Sequence, residues 1–348
     1  MPTVPDNARR FLVMRLGAIG DCLRVLPAVA RLRRERPDAE IGWAVEHWVA
    51  PVLKGNPLID RLHVLDRREL RGGLRRALRE IRRFTREVRR HDYQVLLEFH
   101  GRFKSGLLAW LSGVPARIGY ARGNESEGNF LFTNVHVARA DAWESRVHRF
   151  LGLLGPLGLP TGYDPRAHGL HVPDAERRWA EAAYSAAGRP ALAVFPGTSA
   201  HRARERWPDD KWRELLRKLG ADGISSMVLW GPAEQEFCAA LARDAGPPCA
   251  LAPPTTLPQM LALIGHCRAY VGADTAAMHM AWMQGVPAAV IAGHKPARTI
   301  EPPPPAKSRM LFAAGHYVEG RKPSAQDDRV VTAVAVEAVR KAVHDLLA

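Results

Sequence analysis

The chain alternates short apolar runs with longer amphipathic stretches. Phe11-Leu12-Val13-Met14 is an unbroken apolar run, the pattern of a strand buried on both faces in a parallel sheet. Leu16-Gly17-Ala18-Ile19-Gly20 breaks it, and a helix is predicted over residues 21–36, stopped by Pro37-Asp38. Residues 41–45, 62–65 and 95–97 read as further strands, 67–90 as one long arginine-rich helix and 103–111 as another helix. Residues 157–173 mix Gly, Pro and Tyr without a period and read as a linker. Beyond it, strands are predicted at 191–195, 227–230, 270–271 and 286–291, with helices at 209–219, 234–244, 275–284 and 331–347. This βα alternation predicts two doubly wound, Rossmann-like α/β domains, 1–165 and 166–348. The last helix is expected to cross back onto the first domain.

Composition sharpens the picture. The 348 residues are 47% hydrophobic, enough to bury two cores. No apolar run reaches the roughly 18 residues of a membrane span. The start, Met1-Pro2-Thr3-Val4-Pro5-Asp6, has no basic segment followed by an apolar one, so no signal peptide is expected. The expected location is the cytoplasm, with docking on the inner face of a membrane as the variant. Cys22, Cys238, Cys249 and Cys267 are far apart in sequence and form no CxxC pair, so no zinc site or disulfide framework is indicated. Formal net charge is +14, a field that attracts nucleic acid, acidic lipid or phosphorylated substrates. An arginine-favouring codon bias gives the same count with no partner. No zinc finger, RNP signature or helix-turn-helix accompanies the charge, and the nucleic-acid class is set aside.

Five stretches carry candidate chemistry. Arg15-Leu16-Gly17-Ala18-Ile19-Gly20-Asp21 joins a strand to a helix start, where backbone approaches a ligand closely and anions are favoured. Asp21 also suits a plain N-cap. Between Arg67 and Arg90 stand eleven arginines against three glutamates, with Leu70, Leu74, Leu78, Ile81 and Val88 as an apolar stripe. That is either a solvated helix face with Glu–Arg pairs or a landing surface for anionic lipid. Gly197-Thr198-Ser199 ends a strand, where hydroxyls can donate to phosphate, with Arg204 or Arg206 to neutralise it. The nearby Trp207-Pro208 run also suits simple helix initiation. Glu234 follows another strand end, suited to two ribose hydroxyls or merely to a first helical turn. Asp274-Thr275-Ala276-Ala277, with His279, opens a helix whose free amides can hold a diphosphate.

The run from Arg15 to Pro27 resembles the N-terminal signature of glycosyltransferase family 9, the lipopolysaccharide heptosyltransferases, and the order and spacing of the later motifs extend the resemblance over nearly the whole chain. It implies the GT-B fold, two Rossmann-like domains facing a central cleft, with acceptor on the N-terminal domain and nucleotide on the C-terminal one. Asp21 then occupies the place of the family's general base, in an inverting displacement without metal or cofactor. The donor would be ADP-heptose, bound by Gly197, Thr198, Ser199, Arg204, Arg206, Glu234, Asp274, Thr275, Ala276, Ala277 and His279. The acceptor would be an acidic glycolipid bearing Kdo sugars and lipid A phosphates, at an anionic inner-membrane surface. The family member that acts first on the inner core has a similar basic segment followed by Gly-x-x-Lys-Ser, matched here by Gly101 to Ser105. Gly20, Arg67, Arg68, Arg71, His100, Lys104 and Arg122 are the corresponding acceptor candidates. The chain departs from the family pattern at Glu205, where a lysine is usual, at Ala276, where glycine is usual, and at Gly293-His294-Lys295-Pro296. A relative using another sugar or acceptor, or one without catalysis, therefore stays open at this stage.

Overall fold

The computed structural model describes residues 4–139, 144–198, 206–292, 307–312 and 329–348. They form two compact units, Met1–His171 and Val172–Ala348. The first contains β1 (Arg10–Met14), α1 (Ile19–Glu35), β2 (Glu40–Glu46), α2 (Ala50–Leu53), β3 (Arg61–Leu65), α3 (Arg67–Arg71), α4 (Leu74–Arg89), β4 (Val95–Glu98), α5 (Phe103–Leu111), β5 (Ala116–Tyr120), β6 (Val135–Val137) and α6 (Arg146–Gly152). Its sheet runs β3-β2-β1-β4-β5-β6, and every pairing is parallel. Central β1 sits between Ile41 and Val95 at Phe11. Its apolar run is uninterrupted because both faces are covered. Leu12, Met14, Phe84, Val88, Leu96 and Leu108 form one core layer beneath α4 and α5. The strand order reverses between β1 and β4, so the carboxyl ends of those strands flank the crevice where doubly wound sheets bind ligands.

The basic stretch differs from its expectation. It is two helices, α3 and α4, broken at Gly72-Gly73, where Gly73 has φ +97°, a backbone that a side chain strongly disfavours. Asp66 caps α3 by accepting from the Arg68 amide. The stripe is also narrower than expected. α4 buries Glu80, Phe84 and Val88, while Leu74 and Leu78 remain 76% and 43% exposed.

The second unit contains α7 (Asp174–Ala186), β7 (Leu192–Phe195), α8 (Asp209–Ala221), β8 (Ser226–Val228), α9 (Gln235–Ala245), β9 (Cys249–Leu251), α10 (Leu257–His266), β10 (Ala269–Ala273), α11 (Ala276–Met283), β11 (Ala288–Ile291), β12 (Ser308–Leu311), a helical turn at Arg329–Thr332 and a last helix at Val336–Leu347. Its parallel sheet runs β12-β11-β10-β7-β8-β9, again reversing direction at the centre, between β10 and β7. Trp207 and Trp212 meet edge to face at 5.0 Å in the core, and the Trp207 indole donates to the Val334 carbonyl. The Trp207-Pro208 run is thus packing. The last helix, expected to return to the first domain, places Val336, Val339, Ala342 and Val343 in the second unit's own core with Leu215, Leu219 and Ile291. Its apolar stripe is consumed there.

Candidate active site

At the end of β1 the chain turns through residues 15–18 into α1. Ala18, not Asp21, is the N-cap. Asp21 lies in the first helical turn, which leaves its carboxylate to side chains. Arg15 Nη2 donates to Oδ2, Arg24 Nη2 to Oδ1, and Arg146 Nη1 to Oδ1 at 2.8 Å. Three guanidinium groups thus fix one carboxylate whose side chain is 14% exposed. Charge-assisted contacts of this kind are the strongest ordinary hydrogen bonds. Arg15 is itself anchored, donating through Nη1 to the Phe99 carbonyl at 2.8 Å at the end of β4. Gly20 is buried beside Asp21 in the same turn.

His100 joins this cluster as a neutral group. Its Nδ1 accepts from the Leu16 amide at 3.3 Å. Burial, reinforced by the Arg15 charge, pushes its pKa down to about 3. It can offer Nε2–H to a ligand but supplies no charge. Glu98, fully buried, is pushed up to about 7 by desolvation, against the opposing Ser105 and Gly101 hydrogen bonds.

The acceptor candidates do not form one set. Lys104 Nζ donates to Glu46 Oε1 at 2.6 Å, and Arg67 Nη1 lies 3.7 Å from Glu46 Oε2. The Trp48 indole donates to that same oxygen at 2.7 Å. Glu46, buried at the end of β2, therefore collects two of the predicted cations. Arg68 instead pairs with Asp66 at 2.9 Å. Arg71 is exposed at the end of α3. Arg122 is exposed beyond β5, 5.7 Å over the Phe130 ring. Sequence reasoning missed Arg24, Arg146 and Glu46. Arg24 was readable as a cation three residues after Asp21 on a helix. Arg146, 125 residues from Asp21, leaves no local signal.

In the second unit the candidates gather at the carboxyl ends of β8, β7 and β10, which are adjacent in the sheet. Glu234 Oε2 accepts from the Gly231 amide at 3.1 Å. A Cβ at Gly197 would lie 3.1 Å from the Glu234 carboxyl carbon, and one at Gly231 2.7 Å from Oε2. Both glycines make room for this carboxylate. Thr198 follows Gly197, whereas Ser199, Arg204 and the divergent Glu205 lie outside the described residues, as do residues 293–296. Thr275 is the extended N-cap of α11 and makes no side-chain capping bond, so the first amides of α11, including those of Ala276 and Ala277, form an anion-favouring helix start. His279 is buried one turn later, with Nε2 3.8 Å from Asp274 Oδ1 and its ring edge to face with Trp282. Arg206 pairs with Asp209 at the start of α8 at 3.0 Å and lies 3.7 Å over the ring of Phe237, in the first turn of α9 after Glu234. Among the described residues, no group of three or more His, Cys, Asp or Glu is arranged to hold a metal ion.

Residues 81–327 match the family model described as glycosyltransferase family 9 (heptosyltransferase). Lipopolysaccharide heptosyltransferase 1 of Pseudomonas aeruginosa is 27% identical over 284 residues, covering 80% of this chain and 77% of that protein. Lipopolysaccharide heptosyltransferase 2 of Escherichia coli K12 is 26% identical over 330 residues, covering 91% and 92%. Among solved structures, a family 9 glycosyl transferase from Veillonella parvula superposes with a TM-score of 0.82 at 22% identity, covering 97% of each chain. The E. coli heptosyltransferase WaaC with ADP-2-deoxy-2-fluoro heptose gives 0.74 at 20% identity, covering 97% of this chain and 99% of that one.

Proposed function

Since the chain belongs to glycosyltransferase family 9 and is a glycosyltransferase of the GT-B fold, we propose that it moves heptose from ADP-heptose to a Kdo-bearing lipid A inner core, with inversion, in one displacement. The observation that carries this reading is Asp21, a carboxylate in the first turn of the helix that follows the central strand, held in place by Arg15, Arg24 and Arg146. As the acceptor hydroxyl attacks the anomeric carbon, Asp21 takes its proton, the role of a positioned general base. The bond from that carbon to the ADP diphosphate breaks. The charge developing on the diphosphate is stabilised by the amides at the start of α11 and by Thr198, preorganised dipoles of the kind that contribute most to catalysis. Glu234, held between Gly197 and Gly231, takes the ribose hydroxyls. The ADP-2-deoxy-2-fluoro heptose in the E. coli relative supports the donor assignment.

The acceptor reading rests on charge. Lys104 and Arg67 sit around Glu46 near the end of β2, suited to carboxylates and phosphates of an acidic glycolipid. No described helix is long and apolar enough to cross a membrane. Contact with a lipid surface instead falls to the exposed arginines of α4 and their neighbours Leu74 and Leu78. The test is a donor screen: thermal shift with ADP, UDP, GDP and CMP sugars, then turnover on a Kdo-bearing acceptor. Stabilisation and turnover with ADP-heptose are expected. Turnover with a different nucleotide sugar alone would replace the donor assignment.

A further inference from the structure

A cavity of ≈ 270 Å³ opens in the first unit beside the ends of β5 and β6, lined by Tyr120, Arg139, His148 and Arg149 among others. It holds several waters' volume, at roughly 30 Å³ each. Its polar lining is under-satisfied. Tyr120 is 2% exposed, and its buried hydroxyl has no hydrogen-bond partner among the described residues. The same holds for the buried Nε atoms of Arg139 and Arg149. The Arg149 guanidinium lies 3.9 Å from the Tyr120 ring centre. Both arginines donate through Nη2 to one backbone oxygen, the Asn124 carbonyl, and neither pairs with a carboxylate among the described residues.

The electrostatics agree with the geometry. Burial lowers the Arg149 pKa, and the nearby charges of Arg139, Arg146 and Arg15 lower it further, with the Tyr120 contribution opposing. Glu144 and His148 are the other titratable groups at the lining. His148 is bonded through Nδ1 to the Ser145 hydroxyl at 2.9 Å. Buried polar groups normally find partners, and each exception asks for an explanation. A guanidinium fork matches a planar or tetrahedral oxyanion, and a tyrosine hydroxyl is a donor to the same group.

We propose that this cavity is an oxyanion subsite, taking a carboxylate or phosphate group between Arg149, Arg139 and the Tyr120 hydroxyl. Helix α6 ties it to the reaction. Arg146, one turn before Arg149, holds Asp21 at 2.8 Å. An acidic group placed here belongs to the acceptor, an assignment that rests on the transfer reading above; the subsite itself does not.

The experiment is calorimetric titration of the full chain with two probes, inorganic phosphate and a free carboxylated sugar (Kdo), without donor or glycolipid. The variants are Arg139→Gln/Arg149→Gln and Tyr120→Phe, with melting curves to check folding. Wild type is expected to bind at least one probe. The double variant should bind it about tenfold more weakly or worse, as befits loss of charge-assisted hydrogen bonds. Tyr120→Phe removes one oxygen and should weaken it several-fold; it carries the test if the double variant does not fold. Binding of the sugar acid alone assigns a carboxylate ligand, and binding of phosphate alone assigns a phosphate. No binding of either probe, or wild-type binding by both variants, overturns the subsite. Intact probe binding in a chain that transfers no heptose would remove the acceptor assignment and leave the subsite standing.

Discussion

Replacing Arg75, Arg79, Arg82 and Arg86 with Gln should release the chain from anionic vesicles while leaving nucleotide binding intact. These four stand at i, i+4, i+7 and i+11 on α4, so they share one helix face, and all are exposed. None has a carboxylate partner among the described residues. Their neighbours are already engaged: Arg76 pairs with Glu69, and Arg83 with Glu80 and Glu87. The net attraction therefore lies on this stripe, together with the exposed Leu74 and Leu78. At roughly 1 kcal/mol per basic residue close to an anionic surface, four arginines contribute about 4 kcal/mol. That is nearly a thousandfold in partitioning, at 1.4 kcal/mol per factor of ten. Salt should reduce the effect, since the Debye length is about 10 Å at 0.1 M. Co-sedimentation with phosphatidylglycerol vesicles at low and high salt reads it directly. A solvated, functionless arginine face predicts no difference. Equal partitioning of wild type and variant at low salt would refute the landing surface.

Other outcomes follow from the same geometry. Leu74→Ser/Leu78→Ser should lower vesicle binding most visibly at high salt, where the charge contribution is screened and apolar burial remains; unchanged high-salt binding would exclude leucine insertion. Glu98 is pushed up from 4.5 to about 7 in the fold, so the native state holds the extra proton and loses stability as pH rises through that interval. Glu98→Gln should therefore gain about 2 kcal/mol relative to wild type at pH 8 over pH 5, read as melting temperature against pH. His100 works oppositely. Its pKa falls from 6.5 to about 3, so the unfolded chain binds more protons and wild type loses stability as pH drops below 6.5. His100→Asn should flatten that acid slope by up to about 1.4 kcal/mol per pH unit. Gly197→Ala puts a methyl 3.1 Å from the Glu234 carboxyl carbon; calorimetry with ADP should show several-fold weaker binding at a nearly unchanged melting temperature.

What the sequence disclosed follows the range of each interaction. The run at residues 11–14 declares β1 because both faces of that strand are buried. β5 (Ala-Arg-Ile-Gly-Tyr) and β6 (Val-His-Val) lack any such run, being short strands with polar positions, and they escaped notice. The break at Gly72-Gly73 was written locally, yet the continuing arginine pattern outweighed it. Gly197, Glu234 and Asp274 were legible as strand-end residues, and the parallel sheet places their strands side by side. The Asp21 cage was half legible. Arg24 is three residues away, but Arg146 comes from α6 by tertiary packing alone. Glu46 was invisible for the same reason: its partner Lys104 is 58 residues distant.

The most direct test is the rate of heptose transfer from ADP-heptose to a Kdo-bearing acceptor by wild type and by Asp21→Asn, with ADP affinity measured in parallel. Asn keeps the shape of the side chain and removes its basicity. Wild type should turn over, and Asp21→Asn should lose roughly 100-fold or more in kcat, the low end of general-base contributions, while ADP affinity, which the proposed function assigns to the second unit, stays the same. No transfer by wild type, or near-normal transfer by Asp21→Asn, would contradict the account.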